Sequence, residues 1–347
     1  MKDITVTTMS KYLYDLLTVE DLTGDVHSVY RKTVNLHFAS ASEEISHLLV
    51  ALQAKDSPIS PLTMLLPLTK EEMEGLGIMA GAPVSVSDHI IRIGESRGQE
   101  NDSGIILIDF GKTKLVKTGL KKDTCSSRLI DAKLALASTI LSSSTPVGFA
   151  SLIGDRDQWP DDLILNAAGN NIYTALEDIE NHKLDSCVGH LIKLIGMGIG
   201  LTPGGDDFLC GTLGSLYATG LWDHPFSRLL RMRITESLDR TNDISASFLR
   251  CALRGQYSLA VVDFFRMRKC ESSHLTSDVH RLTPDAYREE FTKAVQGEFQ
   301  AIGHSSGMDS LTGLYFGLKI GQSLSKTTLK SLTGVCLATR TPNREAA

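Results

Sequence analysis

The sequence predicts an α+β protein in which a β-rich N-terminal barrel or sandwich domain precedes a mostly α-helical C-terminal domain. Residues 26–120 contain short runs rich in Val, Ile, Leu and Thr, broken by Gly, Pro and Asp, which is typical of a small β domain. After Cys125, apolar residues recur three and four positions apart over long spans, as helices packed on a core require. A chain of 347 residues is also long enough for about two domains.

The change in pattern places a domain boundary near residue 124. We expect a β-rich domain at 1–124, a helical domain at 125–335 and a tail at 336–347. The predicted strands lie in VHSVYRKTVNLHF, PISPLTMLLPL, APVSVSDHIIRIG, GIILIDFG and TKLVKTGL. The polar stretches 94–104 and 266–282 are predicted loops. His274 and His280 in the second loop are spaced like neither a helix face nor a standard zinc motif.

Composition and charge exclude several classes of protein. A net charge of -6 and a pI of about 5.9 disfavour a nucleic-acid-binding protein, which normally carries a basic face. No apolar run approaches the ~18 residues of a membrane span, and the first residues lack a secretory signal pattern, so we expect a cytoplasmic protein without a membrane partner. The six cysteines form no CxxC pair, which favours reduced thiols acting as small hydrophobic residues.

The most specific feature is a repeated heptapeptide of the form GxDxLxG. It occurs as GDDFLCG at Gly205–Gly211 and as GMDSLTG at Gly307–Gly313, and the two copies are 102 residues apart. Each copy follows a tight polar turn and opens an apolar segment with further glycines, so two similar helix starts are predicted. Thr202 before Pro203 is the expected N-cap of the first helix, and Ser305 or Ser306 that of the second.

The repeated acids allow two interpretations. Asp207 and Asp309 each precede by four residues a glycine on the same helix face, so both segments are suited to close packing with the acids as caps. Alternatively, the two helix N-termini meet and their amides and hydroxyl groups line an anion pocket. There, Asp207 and Asp309 would hold a metal ion, a substrate amine or amide, or the pocket's own donors.

Other motifs add little. The junction TNDISASFLRCALRGQ offers Thr241, Asn242 and Asp243 as cap candidates, with Ser245 four residues after the first of them, and capping alone explains it equally well. The sequence contains no P-loop lysine after the glycines, no strand-borne GxGxxG with a ribose acid, no GxSxG and no HExxH. Nicotinamide binding is therefore disfavoured.

The combination of GMGIGLTPGGDDFLCG, TNDISASFLRCALRG and GHSSGMDSLTGLYFGLK, preceded by HSVYRKTVNLHF, resembles the bacterial AllH-like family. The resemblance covers most of residues 25–325 and implies a subunit of oxamate carbamoyltransferase in allantoin and purine catabolism. The implied reaction exchanges a carbamoyl group between oxalurate plus phosphate and oxamate plus carbamoyl phosphate, with companion protein subunits. The STRT phosphate signature of the ordinary transcarbamoylases is absent, and the glycine motifs contain no Arg or Lys, so the phosphate-neutralising cation must come from elsewhere.

Small anionic substrates suit the anion pocket, because carbamoyl transfer passes through a tetrahedral oxyanion that backbone amides stabilise. We expect Asp206, Asp207 and Asp309 to be the catalytic residues. The expected substrate-binding residues lie in three of the four family segments and are Gly198, Gly200, Thr202, Gly204, Gly205, His304, Ser305, Ser306 and Asn35. Two alternatives remain open: a non-catalytic assembly subunit, and an enzyme acting on small phosphorylated compounds with the three aspartates as Mg²⁺ ligands. Mg²⁺ is the one cofactor candidate, and no metal ligand is assigned.

Overall fold

The computed structural model describes residues 2–39, 47–94, 104–122, 127–266 and 284–338. The chain forms two compact units, which we call the sheet unit and the helical unit. The sheet unit consists of Met1–Leu120, Asn242–Asp278 and Gly297–Gly303, and the helical unit of Lys121–Thr241, Val279–Gln296 and His304–Ala347. The interiors of the two predicted polar loops, with His274 and His280, lie outside the described residues, as do Cys125 and Cys270.

A ten-stranded mixed sheet forms the core of the sheet unit, in the order β1-β9-β8-β7-β3-β4-β5-β6-β2-β10. Its strands are β1 (Lys2–Thr5), β2 (Thr8–Ser10), β3 (Leu22–Tyr30), β4 (Thr33–Ala39), β5 (Leu48–Gln53), β6 (Thr63–Leu65), β7 (Pro83–Ser87), β8 (Ile90–Ile93), β9 (Ile106–Asp109) and β10 (Lys114–Val116). The predicted β-rich half is confirmed. The strands β1, β2 and β5 and the helix Lys11–Leu17 were not among the predicted segments.

The sheet curls because its first two strands lie near opposite edges. β1 pairs in parallel with β9, whereas β2 pairs with β6 and β10, and only Val6 and Thr7 separate β1 from β2. Val6 donates its amide hydrogen to Asp109, and Thr7 donates to Leu65 on the other side. Thr5 at the end of β1 and Thr8 at the start of β2 are three residues apart and can span no more than about 11 Å, so the two edges must approach each other. The result corresponds to the barrel alternative and not to a sandwich.

Among the described residues, four helices lie entirely in the sheet unit: α1 (Lys11–Leu17), α2 (Lys70–Glu74), α8 (Asp243–Leu253) and α9 (Leu259–Arg266). α8 is bound to the sheet by hydrophobic contacts, because Ile244, Phe248 and the buried Cys251 pack against the core of alternating apolar strand residues. Asn242 caps α8 by accepting the amide hydrogen of Ser245 at 3.0 Å, so one of the three predicted cap candidates is confirmed.

The helical unit contains α3 (Ser127–Ser143), α4 (Leu163–Glu180), α5 (Leu184–Ile192), α6 (Gly204–Ala218), α7 (Pro225–Thr235) and α11 (Ser306–Ala338). The 3-10 turns Gly148–Leu152 and Arg156–Gln158 lie between α3 and α4, a further 3-10 turn, Leu238–Arg240, follows α7, and α10 (Pro284–Gln300) precedes α11. α6 is buried almost all around, and α11 packs along it and also against α3. The predicted helical C-terminal half is confirmed.

Candidate functional site

The two GxDxLxG segments form the N-terminal turns of α6 and α11, as predicted. Their second glycines bring the helices together, because a side chain at Gly211 would collide with the carbonyl oxygen of Ser310 on α11. The reciprocal holds for Gly313, whose side chain would collide with the carbonyl oxygen of Phe208 on α6. The repeat therefore encodes a reciprocal backbone contact, and it places the acids of both helices in one buried region.

A glycine-rich loop leads into α6. Gly196, Gly198 and Gly200 have φ angles of 73°, 129° and 117°, a region that residues with a side chain rarely adopt. The predicted N-cap is wrong, since α6 begins at Gly204 after Pro203 and no side chain caps it. The hydroxyl group of Thr202 instead lies 2.7 Å from that of Ser306, the first residue of α11.

The α6 amides are less available to an anion than we predicted. The loop folds back over the helix, so Gly205 donates its amide hydrogen to the carbonyl oxygen of Met197 at 2.9 Å. Asp206 and Asp207 donate theirs to Pro203 at 2.9 and 3.3 Å. Gly198 lies over the amide nitrogen of Gly204, where an added Cβ would approach that nitrogen to 2.6 Å. The first turn is thus covered by its own loop.

Asp206 binds two separate segments of the chain through its carboxylate group. Its two carboxylate oxygens accept the amide hydrogen of Gly196 at 2.9 Å and the hydroxyl hydrogen of Thr241 at 2.5 Å. Asp206 thereby fixes the start of the glycine loop and the segment before α8. Because both oxygens are engaged in this way, we assign Asp206 to the positioning of the loop.

Asp309 binds a different segment, the 3-10 turn after α3. One carboxylate oxygen accepts the amide hydrogen of Phe149 at 2.6 Å, and the adjacent Gly148 has no room for a side chain beside that carboxylate. The other oxygen lies beside Gly204. Burial raises the pKa of Asp309 to about 6, although its hydrogen bonds with Phe149 and Ser305 oppose the increase.

Asp207 differs from the other two aspartates because one of its buried carboxyl oxygens lacks a hydrogen-bond partner among the described residues. It is 9% exposed, and its Oδ2 atom is buried and has no hydrogen-bond partner among the described residues. Burial and the neighbouring Asp309 carboxylate raise the pKa of Asp207 well above its ordinary value, and the hydroxyl groups of Ser306 and Thr202 only partly offset this. A buried carboxyl oxygen without a partner is costly, so the arrangement suits a ligand that donates to it or accepts its proton.

The remaining predicted residues divide between the two units. Ser305 and Ser306 lie beside the acids, whereas His304 and Gly200 are exposed at the surface of the helical unit. Asn35 lies on β4 in the sheet unit, where its buried side-chain amide donates to Ser28.

The three aspartates do not converge as a metal-binding set. Throughout the described part of the chain, no group of three or more His, Cys, Asp or Glu side chains is placed to hold a metal ion. Asp206 directs its oxygens to Gly196 and Thr241, which leaves Asp207 and Asp309 as a pair. Two carboxyl groups alone are a poor site for Mg²⁺, which takes six oxygen ligands and keeps several waters.

Fold and site together define a two-part chain: a curled mixed sheet, and a helical unit whose paired glycine-rich helices bury two coupled carboxyl groups. The chain belongs to the AllH family, since residues 194–318 match the model of "Oxamate carbamoyltransferase subunit AllH" and residues 5–110 match that of "AllH family N-terminal domain". Neither a curated protein nor a solved structure matches the chain. A separate finding is that none of the described helices is long and apolar enough to cross a membrane.

Sequence reasoning missed two contributors to the site. Gly148 and Phe149 follow α3 in a segment with no motif, and only their contact with Asp309 gives them a role. Thr241 was considered as a cap candidate for α8, yet its hydroxyl group binds Asp206 instead. A local sequence signal for either contact is lacking, because each partner lies at least 35 residues away along the chain.

Proposed function

We propose that this chain is the subunit that carries the carbamoyl-exchange site of an oxamate carbamoyltransferase. The reaction converts oxalurate and phosphate into oxamate and carbamoyl phosphate, and its place would be the breakdown of purines through allantoin in the cytoplasm. The family match supports the activity. The observation that carries the proposal is the buried, unpartnered Oδ2 atom of Asp207 between the N-termini of α6 and α11.

Asp207 would act as the proton-transfer residue at the amide nitrogen. When phosphate oxygen attacks the terminal carbonyl carbon of oxalurate, the bond from that carbon to the bridging nitrogen breaks, and oxamate leaves as an amide anion unless that nitrogen is protonated. Because burial raises the pKa of Asp207 well above its ordinary value, its carboxyl group holds a proton more readily than an ordinary aspartate and would deliver it to the nitrogen. In the reverse direction the carboxylate takes a proton from the oxamate amide as it attacks carbamoyl phosphate.

A protonated, neutral Asp207 would also explain how a site with buried acidic residues can bind anionic substrates. Two ionised carboxylates would repel oxamate or phosphate, whereas a protonated Asp207 donates a hydrogen bond to a substrate oxygen. The hydroxyl groups of Thr202 and Ser306 supply further donors at the same place. The cation for the phosphate group would come from a companion subunit, a metal ion or another part of the chain, since the glycine motifs contain no Arg or Lys.

One observation favours the non-catalytic alternative. The contacts of Gly211 and Gly313 account for the repeated glycines as a helix-packing device, without any ligand. An assembly subunit would need that device and no proton at Asp207. The two hypotheses therefore differ in what Asp207 does, and not in what the glycines do.

The test compares Asp207→Asn with Asp161→Asn, an exposed aspartate of the helical unit. Each variant complex is purified from its source cells through a tag on this chain, and carbamoyl phosphate formation from oxalurate and phosphate is measured. We expect Asp207→Asn to lower kcat by roughly 10²-fold to 10⁴-fold, the usual contribution of a general acid, with Asp161→Asn unchanged. Unchanged turnover in Asp207→Asn, with the same companion proteins retained, would assign the chain to assembly instead.

A further inference from the structure

A second polar cluster lies in the sheet unit, independent of the Asp207 site. A bulge in β3 between Val26 and Ser28 shifts the register with β4, so that His27 has no partner residue there. Bulges redirect side chains, and here the ring nitrogen Nδ1 of His27 lies 3.0 Å from the Oγ atom of Ser28. The Nε2 atom of the same ring lies 3.4 Å from Asp243, the first residue of α8.

The hydrogen bond between Asn35 and Ser28 has a fixed direction, whereas the direction of the one between Ser28 and His27 depends on which ring nitrogen of His27 carries the hydrogen. The side-chain nitrogen of Asn35 is only a donor, and it gives a hydrogen to Ser28 Oγ at 3.0 Å. Ser28 is then free to direct its own hydroxyl hydrogen to Nδ1 of His27. A neutral histidine whose Nδ1 accepts carries its hydrogen on Nε2, which is the nitrogen that faces the Asp243 carboxylate.

From this chain of contacts we propose that Ser28 is a nucleophile, with His27 as its base and Asp243 orienting the base. A nucleophile hydrogen-bonded to a base that a third group orients is the arrangement that activates a serine hydroxyl group. Asn35 donates to the attacking oxygen and so stabilises the charge that develops when the hydrogen leaves. Asn35 is 4% exposed and therefore fixed, whereas Ser28 and His27 are half-buried and the Asp243 side chain is 83% exposed, so a reagent can reach the cluster from the surface.

The substrate class is activated acyl or carbamoyl compounds with a good leaving group. Ser28 Oγ forms a bond to the carbonyl carbon while its hydrogen passes to Nδ1 of His27. The tetrahedral intermediate then expels the leaving group, which takes that hydrogen from His27, and an ester or carbamate of Ser28 remains. Water or another hydroxyl compound releases it by the same steps in reverse.

The test is covalent labelling of the full chain with a fluorophosphonate, which transfers its phosphorus to an activated serine as fluoride leaves. Peptide mass spectrometry then locates the label. We expect one label on Ser28, loss of that label in Ser28→Ala, and labelling slowed at least tenfold in His27→Gln. Ser85, a half-buried serine on the neighbouring strand β7, is the internal control and stays unlabelled.

Melting curves of both variants verify that the sheet unit is folded. An unlabelled Ser28 in the unmodified protein, or labelling of Ser28 that His27→Gln leaves unchanged, overturns the proposal and makes the cluster a purely structural network. The readout involves neither oxalurate nor Asp207, so its failure is distinct from a failure of the carbamoyltransferase proposal.

Discussion

Replacing Asp309 with asparagine should remove a pH-dependent part of the free energy of unfolding. Asparagine keeps an oxygen that accepts the amide hydrogen of Phe149, so the 3-10 turn stays bound, but it has no proton to gain or lose. In the native protein burial raises the pKa of Asp309 from 3.8 to about 6. The folded state therefore holds this proton more tightly than the unfolded chain does.

The sign follows from that difference in proton affinity. The stability linked to Asp309 is fully present below its ordinary pKa of 3.8, and it is lost as the pH rises through about 6. A difference between 3.8 and about 6 corresponds to about 3 kcal/mol at about 1.4 kcal/mol for each pH unit. Coupling to Asp207 spreads part of this loss over the pair, so about 1–3 kcal/mol is the range expected for Asp309 alone.

The assay is urea denaturation of the native protein and Asp309→Asn at several pH values between about 4 and about 7.5. We expect the free energy of unfolding of the native protein to fall between the lowest and the highest pH. Relative to the native protein, the free energy of unfolding of the variant should therefore rise by about 1–3 kcal/mol over this range. Asp161→Asn corrects for the loss of one charge at the surface. Parallel pH profiles for the native protein and Asp309→Asn would refute the reasoning about the buried pair.

Three further predictions concern packing, positioning and thiol reactivity. Gly211→Ala should destabilise the protein by at least about 2 kcal/mol in urea denaturation, because its methyl group collides with α11, whereas Gly189→Ala on α5 has open space and should stabilise by up to about 1 kcal/mol. Thr241→Val should cost about 1–3 kcal/mol by the same measurement, since it leaves a buried oxygen of Asp206 without that donor; a cost near zero would contradict the positioning role. Burial raises the pKa of Cys187 to about 12, so its thiol should react with a disulfide reagent only after denaturation, and rapid reaction in the folded protein would contradict its burial.

Sequence patterns predicted the architecture because its signals are local. Alternating apolar residues and turn residues mark strands β3, β4, β7, β8 and β9, and a periodicity of three and four residues marks α3 to α5. β5 was missed because its sequence, LLVALQ, is almost continuously apolar and lacks the alternation of a half-buried strand. The curling of the sheet depends on pairings between distant strands, for which no local pattern exists.

The candidate site was predictable only in part. The repeat identified Asp207 and Asp309, because the sequence alone shows an aspartate at the same position of both predicted helix N-termini. The different surroundings of Asp206 and Asp207 were not predictable, since adjacent helix residues point in directions about 100° apart and meet different neighbours. Asp206 accepts hydrogen bonds from Gly196 and Thr241, whereas the Oδ2 atom of Asp207 has no hydrogen-bond partner among the described residues.

The two-residue link between β1 and β2 also determines when the two edges of the sheet can pair. Lys2 pairs with Ile106, and Thr8 pairs with Lys114, so strands β1 and β2 pair with strands that follow them by about 100 residues in the sequence. On a ribosome that adds about 5–20 residues per second, these strands must wait for several seconds before their partners exist. Pairings this distant in sequence also slow folding, because the entropy of closing a long loop is lost before its contacts form. The pairings of β1 with β9 and of β2 with β10 are therefore expected to be the last to form in the curled sheet.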